Sequence, residues 1–350
     1  MMRNILIIKT SSFGDIVQTL PVAARLREAL PDGTISWLVN TQYRRLLEEN
    51  PCVDRIIPFP RHLWKPSGTL VRAAASFISL CRGLYGGGFD AVLDLQGLLR
   101  SAVFTAATVS PVRAGFANAR EGAPLLYNVR VRVPHPEMHA VERYLLLPAA
   151  LGVSGDRVSF PLGTGEAHRD WARRLLDRLD PGGRAPRVGL SVTARWASKR
   201  WPRASFAALG DAASAAGAAV VAIGAAEHEG AETVRMMKGP ALEVDGVWDP
   251  LRMAALLERL DVLVTNDTGP MHLAAAVGTP VVALFGPTSF RRTGPWGPTH
   301  RIVCAPVPCS PCYRRECDRG EGCMAAIPVE RVREAVEQLL REKRGARHAL

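Results

Sequence analysis

Short apolar runs alternate along the chain with helical patterns, and the alternation starts again halfway. Asn4 to Lys9 reads as a strand, because ILII is a continuous, largely β-branched run, and the loop Thr10 to Asp15 leads into a helical pattern reaching about Leu30. Further strands are predicted at Thr34 to Val39, Arg55 to Pro58, Ala91 to Leu95 and Ala114 to Phe116. Strands that alternate with helices imply a parallel sheet covered on both faces. An arginine-rich helical segment within 163–187 breaks at PGGRAP, where the domain change is placed. The pattern then restarts with strand Val188 to Val192, helix Pro202 to Ala216, strands Ala219 to Ile223 and Val262 to Thr265, a helix from about Met271, and strand Pro280 to Phe285. Ile327 to Leu340 has the spacing of a closing helix, and the basic tail Arg341 to Leu350 is expected to fray. The expectation is an α/β protein with two doubly wound domains, 1–165 and 188–340, joined by a linker region at 166–187 and facing a central cleft.

Composition narrows the partners. A chain of 350 residues, 47% hydrophobic, has ample material for two buried cores. Its 44 Lys+Arg against 33 Asp+Glu give a net charge of +11, which favours an anionic partner: a phosphate-bearing sugar, an anionic membrane surface or a nucleic acid. Nucleic acid is disfavoured, because the positive residues are scattered among strand–helix units and no helix-turn-helix, zinc-finger or RNA-recognition pattern is present. The opening MMRNILIIKTSS lacks the long apolar region of a signal peptide, and the weakly polar run around Ala218 to Ala226 is too short to span a bilayer. A soluble cytoplasmic chain is therefore expected, whose seven cysteines stay reduced and serve burial or a metal.

Ligands of doubly wound sheets bind beyond the carboxyl ends of the strands, so the loops there hold the candidate chemistry. In the first, residues 9–21, Asp15 stands where a helix begins: it is either a cap or a general base for a hydroxyl nucleophile. The second, residues 191–202, offers Thr193, Arg195, Lys199 and Arg200, which is either a solvated basic turn or a means of neutralising a diphosphate. In the third, residues 223–232, Glu227 has a spacing suited to a ribose hydroxyl, with Glu229 and Glu232 as equal alternatives. The fourth is NDTGPMHLAAAVGTPVVALFGPT, residues 266–288. Asp267 or Thr268 can cap a helix there, while Thr268 and Gly269 offer a hydroxyl and open backbone N–H groups to an anion, and His272 adds a donor one turn on. No phosphate loop of the G-x-x-x-x-G-K-[ST] type, no early G-x-G-x-x-G and no D-x-D pair occurs, which counts against phosphoryl and hydride transfer.

IKTSSFGDIVQTLP, DLQGLLRSA, HAVERY, KRWP, GAAEHEGAE and NDTGPMHLAAAVGTPVVALFGPT, in that order over nearly the whole chain, resemble the ADP-heptose:lipopolysaccharide heptosyltransferases, with the first two most like heptosyltransferase I. The resemblance implies a GT-B fold, two Rossmann-like domains about a central cleft, and inverting transfer that requires no cofactor. It implies Asp15 as the base that deprotonates the acceptor hydroxyl. Thr193, Lys199, Asp267, Thr268, Gly269 and His272 would then face the diphosphate and heptose of ADP-heptose, and Glu227 the ribose. It further implies acceptor contacts by Ser12, Gly14, Arg61, His62, Lys65 and Arg120 with a Kdo-bearing lipid A, at the anionic cytoplasmic face of the inner membrane.

Two features depart from the family pattern. The loop before Lys199 is a couple of residues longer, with Ala194 where a second threonine is expected. Cys309, Cys312, Cys317 and Cys323 follow a C-x2-C-x4-C-x5-C spacing that can surround structural zinc or iron, or else are reduced, inert thiols.

Overall fold

The computed structural model describes residues 2–61, 70–224, 228–247, 249–318, 320 and 322–348. The chain divides into two compact units, Met1–Gly163 and Thr164–Leu350. In the first, the elements run β1 (Asn4–Ile8), α1 (Phe13–Val17), α2 (Leu20–Ala29), β2 (Thr34–Asn40), β3 (Arg55–Phe59), α3 (Leu70–Tyr85), β4 (Ala91–Asp94), α4 (Leu99–Ala107), β5 (Val112–Phe116), β6 (Val129–Val131) and α5 (Ala140–Ala149). The second continues with α6 (Glu166–Asp177), β7 (Arg187–Ser191), α7 (Arg203–Ala215), β8 (Ala219–Ile223), α8 (Glu229–Met236), β9 (Ala241–Val244), α9 (Pro250–Glu258), β10 (Val262–Asn266), α10 (Gly269–Ala276), β11 (Val281–Phe285), α11 (Phe290–Thr293), β12 (Arg301–Cys304), α12 (Gly322–Ala325) and α13 (Val329–His348).

Each unit holds one six-stranded sheet whose neighbours all pair in parallel, ordered β3-β2-β1-β4-β5-β6 and β12-β11-β10-β7-β8-β9. Counted from the first strand of each unit, the two orders are the same. The winding reverses between β1 and β4 and again between β7 and β10, so loops on either side of each reversal splay apart and open a crevice at the strand ends. The central strands carry uninterrupted apolar runs because helices cover both faces: Ile5 to Ile8 are fully buried, as are Val262 to Val264. In the second core, Trp201 and Phe206 pack edge-to-face, with centroids 4.9 Å apart, beside Val332, Val336 and Leu339 of α13.

Several expectations change. The helical pattern after residue 13 is two helices: Pro21 lacks an N–H and its ring would crowd the carbonyl of Val17, so the helix breaks, and the Thr19 hydroxyl donates instead to the Asp15 carbonyl at 2.7 Å. The segment expected as a linker, 166–187, contains α6, which packs on α9; Thr164 Oγ1 and Arg169 Nε hold Glu258 at 2.9 and 3.2 Å, all within the second unit. The tail expected to fray continues α13 to His348, tied by Lys343 to Asp261 at 3.0 Å and by an Arg301–Glu342 pair. Strands β6, β9 and β12 had no strong signal; each is half-exposed. Among the described residues no helix is long and apolar enough to cross a membrane.

Candidate active site

At the reversal point of the first unit, β1 is followed directly by Lys9, a lysine almost wholly removed from solvent. Its ammonium donates to the Leu95 carbonyl at 3.1 Å and to the Tyr144 hydroxyl at 2.8 Å, lies 4.5 Å from the centre of the Tyr144 ring, and sits 3.8 Å from Asp15 Oδ1. Tyr144, carried in on α5, donates to Asp15 Oδ1 at 2.9 Å. Ser12 donates its backbone N–H and its hydroxyl to Asp15 Oδ2, at 3.0 and 2.6 Å. Asp15 is the third residue of α1, so it takes back the N–H of the residue that precedes the helix, as in a capping box. It is therefore a cap and, with its side chain still 39% exposed, an accessible carboxylate. Burial alone would raise its pKa, but the Lys9 charge and the hydrogen bonds from Ser12 and Tyr144 outweigh it and hold the carboxyl below its ordinary range. Burial lowers the pKa of Lys9, an effect that Asp15 opposes.

The loop that carries Ser12 is clamped from β4. Gln96 Oε1 accepts from Thr10 N at 3.0 Å, Thr10 Oγ1 at 3.1 Å and Ser11 N at 3.0 Å. Gln96 is itself fixed by buried Asp94, whose Oδ1 accepts the N–H groups of Gln96 and Gly97 at 3.0 and 3.1 Å and whose Oδ2 accepts the Tyr127 hydroxyl at 2.7 Å. Burial raises the pKa of Asp94, partly offset by Tyr127 and the loop N–H groups. Gly115 is required here, since a Cβ on it would lie 2.3 Å from the Tyr127 ring. Arg120 is exposed and anchored by its N–H to the Gly97 carbonyl at 3.1 Å, while Gly14 is buried inside α1. Arg61 is exposed just past β3, whereas His62 and Lys65 lie outside the described residues.

The reversal point of the second unit brings together Lys199, Asp267 and Thr268. Lys199, at the end of the turn Ala197–Lys199, pairs with Asp267 Oδ2 at 2.6 Å, and Thr288 Oγ1 donates to the same oxygen at 2.7 Å. Asn266 ties the two loops: its Nδ2 reaches the Thr193 carbonyl at 3.3 Å and its Oδ1 accepts Trp201 N–H at 3.0 Å. Thr268 precedes α10, with Gly269 as the first helical residue and buried His272 on the first turn. This arrangement sets a cation, paired with Asp267, beside a helix N-terminus, whose first N–H groups have no partner within the helix and so suit an anion. Glu227 lies outside the described residues; of its alternatives, Glu229 faces Arg200 and Arg203 at 3.8 and 4.0 Å, and Glu232 pairs with Arg203.

The four-cysteine segment braces this second site. Arg315 and Arg314 offer carbonyls to Ser198 N at 3.2 Å and Ser198 Oγ at 2.7 Å, and the Trp196 ring has the Lys199 ammonium 4.6 Å and the Arg315 guanidinium 5.7 Å from its centre. Cys312 and Cys317 are exposed, Cys309 and Cys323 half-buried, and all four are free thiols. Burial, and then the neighbouring Cys312, Cys317 and Cys309, raise the Cys323 pKa. Among the described residues no three His, Cys, Asp or Glu side chains form a set that can hold a metal ion. Lys9, Gln96, Tyr144, Thr288 and Arg315 were not singled out from sequence. Their one signal was position, in or beside the motifs at strand ends.

The model of the family described as Glycosyltransferase family 9 (heptosyltransferase) matches residues 77–322. Lipopolysaccharide heptosyltransferase 1 of Pseudomonas aeruginosa is 29% identical over 323 residues, covering 90% of this chain and 87% of that protein. The glycosyl transferase family 9 structure from Veillonella parvula superposes with a TM-score of 0.83 at 22% identity, covering 97% of each chain. E. coli heptosyltransferase WaaC with ADP gives 0.77 at 24% identity, covering 96% of this chain and 99% of that one. These structural likenesses concern the fold, which is GT-B with two Rossmann-like domains. The family match begins after the loop that carries Asp15.

Proposed function

The chain belongs to glycosyltransferase family 9, the heptosyltransferases, and from that premise we propose that it transfers heptose from ADP-heptose to the Kdo region of a lipid A-linked acceptor in lipopolysaccharide core assembly, with inversion at the anomeric carbon. The observation that carries the reading is the accessible Asp15 carboxylate kept ionised over buried Lys9. A hydroxyl is a weak nucleophile until a positioned base takes its proton, and a carboxylate in the first turn of the helix that follows β1 can do so. The acceptor oxygen then attacks the anomeric carbon on the face opposite ADP, and a single displacement inverts that carbon, by analogy with inverting hydrolases.

As the bond to ADP breaks, negative charge grows on the diphosphate. Lys199 and the N–H groups of Thr268 and Gly269 supply the matching positive field, with His272 on the first turn of α10. Asp267, which also accepts the Thr288 hydroxyl, holds Lys199 in place, and no cofactor is required in this reading. Arg61 and Arg120, both exposed, are assigned to the anionic acceptor, and the surplus of positive charge favours residence at an anionic inner-leaflet surface.

The test is ADP release from ADP-heptose by purified protein, with and without Kdo-lipid A, for wild type and Asp15→Asn. Acceptor-dependent release that disappears in the variant supports the reading. Donor binding without acceptor-dependent release points to another acceptor, such as a second inner-core heptose or a protein. No donor binding overturns the donor assignment.

A further inference from the structure

The hydrogen bonds around Asp15 leave one position open, and what leaves it open is a buried pair that no cap requires. Oδ2 receives two donors, the N–H and the hydroxyl of Ser12. Oδ1 receives the Tyr144 hydroxyl at 2.9 Å, while Lys9 Nζ, at 3.8 Å, contributes charge without a hydrogen bond. A carboxylate offers about four acceptor positions, so among the described residues one remains on Oδ1. The direction of the Tyr144 hydrogen also follows. An ammonium only donates, so at 2.8 Å the tyrosine oxygen must accept from Lys9, and its own hydrogen then goes to Asp15.

We propose that Lys9 and Tyr144 are positioning residues for sugar transfer: Lys9 orients the Tyr144 hydroxyl, Tyr144 fixes Oδ1, and the open position on Oδ1 takes the hydrogen of the acceptor hydroxyl. This rests on the reading of Asp15 as the base. In the step, the acceptor O–H bond breaks and its proton moves to Oδ1. The freed electron pair forms the new bond to the anomeric carbon, and the pair of the breaking bond leaves on the ADP oxygen. Three stretches of chain meet to build the frame, namely the end of β1, the Ser12 loop and α5. The charged groups facing it are few: Asp15, Arg143 and Asp94 act on Lys9, Asp15 and Arg143 act on Tyr144, and Lys9 acts on Asp15.

The experiment is the pH profile of kcat/KM for acceptor-dependent ADP release by the full chain, measured for wild type, Tyr144→Phe, Lys9→Met and Asp15→Asn. Tyr144→Phe keeps the ring and removes one donor. It is expected to lower kcat roughly 10- to 100-fold, leave the donor KM within about twofold, and move the acid limb to higher pH. Lys9→Met is expected to move the limb further, since it removes a full charge. A carbon-13 titration of the Asp15 carboxyl in wild type and Tyr144→Phe gives the same comparison without turnover, with a higher midpoint expected in the variant. An acid limb and a carboxyl midpoint that stay in place in Tyr144→Phe overturn the proposal, whatever happens to kcat, because a purely structural tyrosine would lower activity equally at every pH. If Asp15→Asn keeps wild-type turnover, the base reading itself fails. If Asp15→Asn is inactive and the Tyr144→Phe limb is unmoved, only the positioning role fails.

Discussion

The two reversal points are built on the same strand order, and each holds a Lys–Asp pair, with the buried and the exposed member exchanged. In the first unit the buried partner is the cation, Lys9 at 5% side-chain exposure, and the more exposed group is the anion, Asp15 at 39%. In the second the buried partner is the anion, Asp267 at 7%, and the more exposed group is the cation, Lys199 at 17%. Each carboxylate also takes hydroxyls, those of Ser12 and Tyr144 on Asp15 and that of Thr288 on Asp267. A doubly wound sheet thus supplies a place for chemistry without choosing its sign. The sign presented outward follows from which member of the pair is set deeper. Under the proposed function, the first unit would accept a proton and the second would receive a diphosphate.

The sharpest division between the two should come from Asp15→Asn, which is expected to lower turnover by roughly 10²- to 10⁴-fold while ADP affinity, measured by calorimetry, stays at its wild-type value. Equal loss of ADP affinity would break the comparison. Lys199→Met should do the reverse damage. It leaves Asp267 buried without its cation, so the second unit should lose on the order of 3 kcal/mol in chemical denaturation, and ADP should bind more weakly. Adding Asp267→Asn to Lys199→Met is expected to restore part of the stability and none of the ADP binding. Restored binding would mean that Lys199 acts only through Asp267.

A subtler effect concerns pH. Because the Asp15 pKa is lowered in the folded protein, its ionised form persists to more acid solution than an ordinary aspartate, whose pKa is about 3.9. The contribution of Asp15 to stability is accordingly present above that unfolded value and lost as pH falls through the folded one. The kcat/KM profile should show no acid limb between pH 7 and pH 5 from this group, and a midpoint near 6 would contradict the arrangement around Lys9. The smallest change is expected from Arg315→Ala, which removes an exposed guanidinium from over Trp196; ADP affinity should fall by no more than about 1 kcal/mol. A larger loss would show that the cysteine-rich segment does more than brace the Lys199 loop.

Central strands were legible because burial on both faces demands an uninterrupted apolar run, as in Ile5 to Ile8 and Val262 to Val264. The edge strands β6, β9 and β12 were not, because a half-exposed strand of three or four residues is under no such demand. Asp15, Lys199, Asp267 and Thr268 could be picked out because loops after central strands are where such sheets bind ligands. Tyr144 could not, since its hydroxyl reaches Asp15 from a position 129 residues away. The same holds for Thr288, which meets Asp267 across 21 residues, and for Gln96, which clamps Thr10 from 86 residues away.

By itself the sequence determined the alternation of strands and helices, the parallel sheets that follow from it, and the loops where charge gathers, since each depends on spacing along the chain. Only the tertiary structure decided which charge in each pair lies deep, which hydroxyl supports it, and which lone pair is left open. Those outcomes depend on distances between segments remote in sequence, and a hydrogen bond or ion pair acts over a few ångströms in space, whatever the separation along the chain.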